Sequence, residues 1–519
     1  MRKFLPGLAV FATFAAVGFL SVLQNSPNSL RAGDEKSAEV RAPSSFSDVS
    51  LAIDQMTRDI SNSRIFNTST AANYINGLAD QAYQMNSWEF IPSSESDTRD
   101  FLDRAESMVN RMFQIRIELT NRLEAFEKSE SWTESQRAEV ITAFRRAHLY
   151  LRYAEDYATQ WLHRLKPLKN SSVFFQGEGV LSLPSTPQNK NADSANGFKY
   201  RPGDVILVRG NSFFSATIAR IGDMPTNMSH IAMVAEASDG KLHVVEALLE
   251  KGMVSYLLED YLKFEPLPRA AIYRLQDPAL AQKAGVELWK LYQENLKAPV
   301  PFDILMNPTD HSKIYCAEAM SMVIERASGG QVIIPRYQTT FSKSLKTEFF
   351  QSMGITAAQS FAPADIDVDT RFRLVREHRD LSLLDESRRY DVVVSRLFEM
   401  FQDGFMYRPD VSAKFDAVKA VFARSFGFLK DQVPADASVA TMAGLIRHKN
   451  LVVALMKDLA TAESEAVAKT GRPLSYRELE SLFNELCAGR CVDGRGAKIG
   501  ANLERTGAAR CESLFRSTF

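Results

Sequence analysis

The chain has 519 residues, enough for two or three domains, because single hydrophobic cores stop growing near about 250–300 residues. Hydrophobic residues make up 45% of it and charged residues 24%, which is ordinary for a folded protein. The 62 Lys and Arg residues balance 63 Asp and Glu residues, so the basic excess typical of nucleic-acid-binding proteins is missing and no nucleic-acid partner is predicted.

The N-terminus carries an uncharged apolar run, residues 4–23, directly after Arg2 and Lys3. The run is long enough to cross a bilayer as a helix, and it exceeds the usual apolar core of a secretory signal. Basic residues before it favour an N-inside orientation. Residues 1–24 are therefore predicted to be a signal or membrane-anchor segment and residues 25–46 a polar linker. The remainder is expected to be exported, as a periplasmic or membrane-anchored protein, and whether the segment is cleaved stays open.

The next region, residues 47–170, is predicted to be a bundle of amphipathic helices. Apolar residues recur at helical spacing in 99–126, and Thr133 with Gln136 resembles a capping box at the start of another helix. The apolar stripes indicate packing surfaces rather than a cofactor site. Residues 171–199, dominated by Gly, Pro, Ser and Asn over most of their length, are predicted to be a linker.

The central region, residues 200–385, predicts an α+β unit in which short strands come first and helices follow. Its predicted strands are 203–209, 230–237, 241–248, 270–275 and 372–380, and its predicted helices are 278–297 and 315–328. Residues 386–519 are predicted to form a C-terminal helical region.

One of the four cysteines, Cys316 in the sequence KIYCAEAM, stands alone at the predicted start of a helix. The partial positive charge and unpaired N–H groups of a helix N-terminus favour a thiolate and could stabilise an oxyanion. If Tyr315 is the N-cap, Glu318 can cap the backbone and is structural. Because a lone buried cysteine is more often inert packing, a nucleophilic Cys316 requires a base nearby.

His230 is the best candidate for that base, because it begins a strand directly after the turn-rich loop 222–229. Alternation on the next strand places Val244 and Glu246 on one face and His243 on the other. A glutamate beside apolar neighbours requires a partner, and an imidazole on the adjacent strand is a natural one. Glu246 could then orient His230 and stabilise its charged form.

The remaining histidines are weaker candidates. His311 is near Cys316 in the sequence but is expected to be exposed, and four others have no motif near them: His148, His163, His378 and His448.

The other three cysteines are close together in the sequence: Cys487, Cys491 and Cys511. A zinc site would need a fourth ligand, and no histidine follows His448, so no metal is predicted. In an exported chain one disulfide is plausible, most simply between Cys511 and one of the other two, with exposed free thiols as the alternative.

Four segments in this order resemble the permuted papain-like cysteine hydrolases, in the YiiX/YebB-like branch of the NlpC-type superfamily. They are GDVILVR (203–209), SHIAMV (229–234), VVEAL (244–248) and PFDILMNPTDHSKIYCAEAM (301–320). That branch has a G-D strand, an S-H strand start, a glutamate on the following strand and Y-C-S-E-L opening a helix. The cysteine comes last in it, as here, whereas it comes first in ordinary papain-like enzymes.

The resemblance covers roughly residues 200–380 and implies a permuted papain-like core between two helical regions. It implies Cys316 as nucleophile, His230 as base and Glu246 as orienting residue. Tyr315 would flank the oxyanion site, and Asp303 matches a family aspartate, a candidate substrate-site residue of unassigned role. Ala317, Ala319 and Met320 depart from the family pattern, but they remove no chemical group that the reaction needs.

The resemblance implies hydrolysis of an amide or ester bond through an acyl-enzyme, without a cofactor. The expected substrates are cell-wall peptides or lipid-linked small molecules. One alternative is an acyltransferase or thioesterase like the lecithin:retinol acyltransferase relatives, which Phe213, Phe214, Met224 and Met228 near the base would suit. The other is a non-catalytic scaffold that retains the fold. The oligomeric state stays open.

The apolar N-terminal run predicts export of the rest of the chain. A reporter enzyme that is active only outside the cytoplasm, fused after residue 200, should be active, because residues 4–23 direct the chain into the membrane. Reporter activity in intact cells measures this. A fusion that is folded and stable but inactive would contradict export, and the disulfide proposal with it.

Overall fold

The computed structural model describes most of the chain from residue 51 onwards. The described residues are 51, 53–58, 68–85, 95–129, 132–165, 172–176, 181–182, 198–249, 251–264, 267–308, 310–402, 406–407, 411–425, 438–492 and 503–504. The predicted membrane segment at residues 4–23 lies outside them. Among the residues described, no helix is both long and apolar enough to span a membrane.

The chain folds into twelve named helices within the described ranges. They are α1 (Thr68–Met85), α2 (Glu95–Ser129), α3 (Glu134–Leu165), α4 (Phe213–Arg220), α5 (Leu258–Phe264), α6 (Pro278–Lys297), α7 (Cys316–Ser328), α8 (Glu348–Met353), α9 (Leu381–Gln402), α10 (Val411–Ser425), α11 (Val439–Thr470) and α12 (Tyr476–Val492). Short 3₁₀ turns occur at Ser344–Lys346 and Pro363–Val368.

The strands are short, and most of them join one sheet. They are β1 (Ser172–Gln176), β2 (Leu181–Ser182), β3 (Val205–Arg209), β4 (His230–Glu236), β5 (Leu242–Leu248), β6 (Gly252–Leu257), β7 (Arg269–Leu275), β8 (Thr339–Thr340), β9 (Gln359–Ser360), β10 (Phe372–Asp380), β11 (Met406–Tyr407) and β12 (Leu503–Glu504). Eight of them form an antiparallel sheet in the order β2-β1-β10-β7-β3-β4-β5-β6. The fold class is α+β, as the order of strand and helix patterns predicts.

Alternation along β4 divides the core between the two faces of the sheet. Ile231 and Met233 belong to the large cluster that also contains the apolar face of α7, whereas Ala232 and Val234 belong to a smaller cluster with Val244 of β5. Helix α7 therefore packs against the same side of the sheet as Ile231 and Met233, because its own residues pack in that cluster.

The predicted capping box at the start of α3 is confirmed. The Thr133 backbone N–H donates to Gln136 Oε1 at 3.1 Å, and the Gln136 N–H donates to Thr133 Oγ1 at 3.3 Å. The pair satisfies two backbone donors that a helix N-terminus otherwise leaves without acceptors.

The predicted linker at 171–199 is wrong at its start, because β1 and β2 lie in it and extend the sheet beyond β10. The Gly- and Pro-rich composition begins only after β1. Val173 and Phe175 are fully buried, and Phe175 stacks on Phe113 of α2 with ring centroids 5.4 Å apart. Burial of these apolar side chains favours a strand here.

The predicted boundary between residues 385 and 386 is also wrong, because it falls inside helix α9. This helix carries Asp391 into the interior, where its carboxylate meets Arg209 Nη2 at 2.7 Å and Arg220 Nη2 at 3.1 Å. The Tyr153 hydroxyl donates to the same carboxylate at 2.7 Å. The N-terminal helices, the sheet and the C-terminal helices thus share one buried polar centre.

A second group of buried charges fastens α3 to the sheet. Asp156 accepts from Arg269 of β7 at 2.9 Å and from Arg379 of β10 at 2.6 Å. Glu155 accepts from Arg116 of α2 at 2.7 Å and contacts Arg379 as well. All five side chains are inaccessible to solvent, so each charge depends on its partners for stabilisation.

Replacing Asp391 with Asn should destabilise the protein strongly, because the substitution leaves Arg209 and Arg220 buried without their countercharge. We expect a loss of about 3–5 kcal/mol in the free energy of unfolding, measured by chemical denaturation. The control is Asp239→Asn, which breaks a surface pair with Lys241 and should leave the unfolding midpoint unchanged. Equal unfolding curves for the two variants would contradict the structural role given to the buried network.

Candidate active site

Helix α7 begins at Cys316, and the preceding segment fixes where it begins. The Ile314 N–H donates to the Pro301 carbonyl at 2.9 Å, and residues 302 and 314 form a parallel β-bridge. Tyr315 is extended, with φ −108° and ψ 169°, and is the N-cap. The predicted capping contact is present, because the Tyr315 N–H donates to Glu318 Oε2 at 3.4 Å. Cys316 is therefore the first helical residue, as the sequence predicts.

The thiol of Cys316 is free, and its residue is 8% exposed. It packs in the large core cluster with Ala317, Ala319 and Met320 of the same helix. The cysteine is thus held rigidly at a helix N-terminus, where backbone N–H groups and the helix dipole favour negative charge.

His230 and Glu246 are in direct contact. The antiparallel register pairs Val234 with Val244, which places the start of β4, where His230 lies, beside the end of β5, where Glu246 lies. His230 Nε2 lies 2.6 Å from Glu246 Oε2, and the Glu246 side chain is only 7% exposed. The predicted contact between the two side chains is present, and the catalytic role of the pair stays a prediction.

His243 lies on the opposite face of β5, as the alternation predicts. Its ring packs against Trp289 of α6 with centroids 4.7 Å apart, and its Nδ1 lies 2.9 Å from Ser255 Oγ. This arrangement removes it from the Glu246 side of the sheet.

The charge of His230 is set by its two partners. Burial disfavours the charged ring, but the negative charges of Cys316 and Glu246, each with a hydrogen bond to the imidazole, outweigh it and raise the pKa of His230 to about 10. Because Glu246 occupies Nε2, Nδ1 is the ring nitrogen left for Cys316. At neutral pH the imidazolium thus lies between a cysteine and a buried carboxylate.

The pKa values of three other histidines are shifted in the opposite direction. Burial lowers the pKa of His148 and of His448 to about 3 and that of His378 to about 4, so these rings are neutral at pH 7. A raised pKa that requires specific acidic partners distinguishes His230 from them and is typical of functional sites.

Tyr315 and Asp303 support the segment around the cysteine. The Tyr315 hydroxyl lies 2.9 Å from Ser360 Oγ of β9, and burial raises its pKa above the ordinary value. The Asp303 carboxylate is buried and accepts from the Leu305 N–H at 2.9 Å and the Asn307 N–H at 2.6 Å. These contacts fix the loop before α7, while an oxyanion-site role for Tyr315 and a substrate contact for Asp303 stay predictions.

The G-D pair at the start of β3 is structural. Gly203 has φ +82°, and a Cβ there would lie 2.2 Å from the Ala281 carbonyl oxygen, so the close approach of α6 requires glycine. Asp204 is buried, accepts from the Arg201 N–H at 2.9 Å and pairs with Arg274 at 2.7 Å. This pair fixes the start of β3, which pairs directly with β4.

One contact near the cysteine is not evident in the sequence. His311 is exposed, as expected, but its Nδ1 lies 2.8 Å from Oε1 of the buried Glu318. The two residues are seven positions apart, and no periodic pattern indicates that the loop folds back onto the first turn of the helix.

The predicted disulfide among the C-terminal cysteines cannot be placed, because Cys511 and the side chains of Cys487 and Cys491 lie outside the described part of the chain.

Comparison of the chain with protein-family models, with curated proteins and with solved structures finds no match. The function must therefore be inferred from the residues and geometry of the site itself.

Because His230 has two acidic partners, we expect its ring to titrate at an unusually high pH. The imidazole should titrate near pH 10 in the wild-type protein, and Glu246→Gln and Cys316→Ala should each lower that value, because each removes a negative charge. NMR spectra of histidine-labelled protein measure it.

The same pKa shift predicts the pH dependence of stability. Because the pKa is raised on folding from 6.5, the stabilisation from His230 is complete below pH 6.5 and is lost as the pH rises to about 10. A wild-type His230 that titrates near pH 6.5 would contradict the ion-pair arrangement.

Proposed function

We propose that the chain is a thiol hydrolase that cleaves an amide or ester bond through Cys316, His230 and Glu246. The observation that carries the proposal is the 2.6 Å contact between His230 Nε2 and the buried Glu246 carboxylate, on the same imidazole that interacts with Cys316. A nucleophile, a base and a residue that orients the base are the parts that covalent acyl transfer requires.

The proposed reaction begins with attack of the Cys316 thiolate on the substrate carbonyl carbon. Backbone N–H groups at the start of α7 stabilise the resulting oxyanion. The His230 imidazolium donates its proton to the leaving amine or alcohol, and an acyl-enzyme forms. Neutral His230 then removes a proton from water, the hydroxide attacks the thioester, and collapse of the intermediate releases the acid and the thiolate.

Glu246 acts in this scheme through His230. Its carboxylate accepts a hydrogen bond from Nε2, so it holds the ring with Nδ1 towards Cys316 and stabilises the imidazolium. Glu246 itself is not expected to take up the proton.

The arrangement of elements supports a permuted papain-like core as the framework of the site. The strand that carries His230 and the strand that carries Glu246 precede the cysteine-bearing helix in the chain and are neighbours in an antiparallel sheet. This is the order that the resemblance to the YiiX/YebB-like hydrolases implies. We extend the proposal to its expected setting, an exported or membrane-anchored enzyme that acts on cell-wall peptides or lipid-linked amides.

An acyltransferase or thioesterase is the second candidate, and one observation favours it. Five apolar side chains, on elements that flank the site residues in the chain, are only partly buried, and all pack against the same core cluster: Phe214, Met224, Leu249, Leu305 and Met306. They come from helix α4, the loop before His230, the end of the Glu246 strand and the loop before Cys316. Such side chains suit an acyl group. Mass spectrometry of the products distinguishes the two reactions, because transfer yields an acylated acceptor where hydrolysis yields a free acid.

Replacing Glu246 with Gln should lower turnover of chromogenic esters and amides by roughly ten- to ten-thousand-fold, about 1.4–5.5 kcal/mol of transition-state stabilisation. Gln keeps the shape but can offer an amide N–H to the ring, which favours the wrong tautomer. Steady-state kinetics measure the effect, and KM should change little because the carboxylate lies behind the imidazole.

The matched control is His243→Gln, on the opposite face of the same strand, which should leave turnover within a few-fold. Cys316→Ala should abolish turnover while the protein stays folded, and its thermal unfolding curve checks that it is folded. If His243→Gln abolishes turnover and Glu246→Gln does not, the proposed assignment of roles on β5 is wrong.

A further inference from the structure

We propose that Glu318, together with His311, is a positioning residue for Cys316 that also sets the electrostatic charge beside the nucleophile. This inference rests on the proposed function. It assigns to Glu318 a role beyond helix capping, because the residue combines a backbone contact with a buried, titratable carboxyl group on the first turn of α7.

Each carboxyl oxygen of Glu318 has a contact of its own. Oε2 accepts from the Tyr315 N–H at 3.4 Å, and Oε1 lies 2.8 Å from His311 Nδ1. Tyr315 immediately precedes the nucleophile, so the carboxyl group holds the peptide from which the Cys316 helix starts. Only 4% of the Glu318 side chain is exposed, whereas 64% of the His311 side chain is. The pair thus connects the interior of the first turn with solvent.

Glu318 gains or loses its negative charge close to neutral pH. Burial raises the pKa of Glu318 to about 7; the His311 side chain and the Tyr315 N–H oppose this shift, and the nearby charge of Asp303 adds to it. The Tyr315 phenol is neutral here, since burial raises its pKa further above the ordinary value. Asp310 and Lys313 are the charged groups that act near His311.

Glu318 follows Cys316 by two positions on the first turn of α7. An ionised carboxylate there would repel a thiolate at Cys316, as well as any oxyanion formed beside it. Neutral Glu318 leaves the positive end of the helix unopposed. The local charge at the nucleophile should therefore become more negative as the pH rises through neutrality, while His230, with its pKa of about 10, stays charged throughout.

Two alkylating reagents of similar size measure this local charge. Iodoacetate is an anion and iodoacetamide is neutral. The rate of iodoacetate divided by the rate of iodoacetamide at Cys316 therefore reports the charge near the sulfur, because the fraction of thiolate cancels in this ratio. The ratio should be followed from pH 5.5 to 8.5 by peptide mass spectrometry on the full chain, in the wild type, His311→Gln, and Glu318→Gln with His311→Gln.

In His311→Gln the ratio should fall about three- to tenfold as Glu318 ionises, with a midpoint above that of the wild type, because the group that lowers the Glu318 pKa has been removed. In the double variant the ratio should stay constant, since a glutamine at position 318 carries no charge at any pH. The amide introduced by Glu318→Gln retains an oxygen that can accept from the Tyr315 N–H, so the double variant keeps the cap and loses only the charge. If Glu318 were merely a structural cap, the profile of His311→Gln would be as flat as that of the double variant.

A flat profile in His311→Gln, with Cys316 reactive, overturns this inference alone. A Cys316 that reacts with neither reagent at any pH overturns the proposed function, and this inference with it.

Discussion

The structure depends on a set of buried charges that joins three parts of the chain. Asp156 and Glu155 of α3 bind arginines from the sheet and from α2, and Asp391 of α9 binds Arg209 and Arg220. Taking charges out of water is costly, so each of these groups requires its partners in place. The helical regions before and after the central sheet are therefore parts of one interior rather than appendages to it.

The same network reaches the candidate base. Arg152 of α3 donates to Asn227 Oδ1 at 3.0 Å, and Asn227 donates back to the Leu149 carbonyl at 3.4 Å. Arg209 donates to Ser215 Oγ at 2.7 Å, and Ser229 Oγ donates to the Val208 carbonyl at 3.1 Å. These contacts hold the loop that ends at His230. In the proposed reaction, a base fixed in this way would keep its geometry toward Glu246, which favours efficient proton transfer.

Local patterns in the sequence predict the elements of the site well. Helix α6 occupies the predicted residues 278–297, β10 occupies 372–380, and α7 begins at Cys316 and ends before Gly329, which adopts φ 63°. Alternation on β5 correctly separates Glu246 from His243, because period-two patterning follows directly from strand geometry. The permuted papain-like assignment and the hydrolase activity remain proposals.

Long-range contacts are not predicted by such local patterns. Strand β1 pairs with β10, which comes much later in the chain, and Asp391 meets Arg209 across 182 positions. A charged residue on an amphipathic helix usually lies on the solvent-exposed face. The sequence around Asp391 therefore does not indicate that this residue is buried beside an arginine. The contact of His311 with Glu318 cannot be predicted for a related reason, since a loop that folds back onto a helix produces no periodic pattern in the sequence.

The central proposal is that His230 activates Cys316 as a nucleophile, and the rate of Cys316 alkylation by iodoacetamide at pH 6–7 under reducing conditions tests this most directly. Peptide mass spectrometry should show Cys316 labelled faster than Cys487, Cys491 and Cys511, although it is buried in the core. His230→Gln should remove that advantage, because the imidazolium that stabilises the thiolate is lost. Equal labelling of all four cysteines, or a Cys316 rate that is unchanged in His230→Gln, would contradict the account.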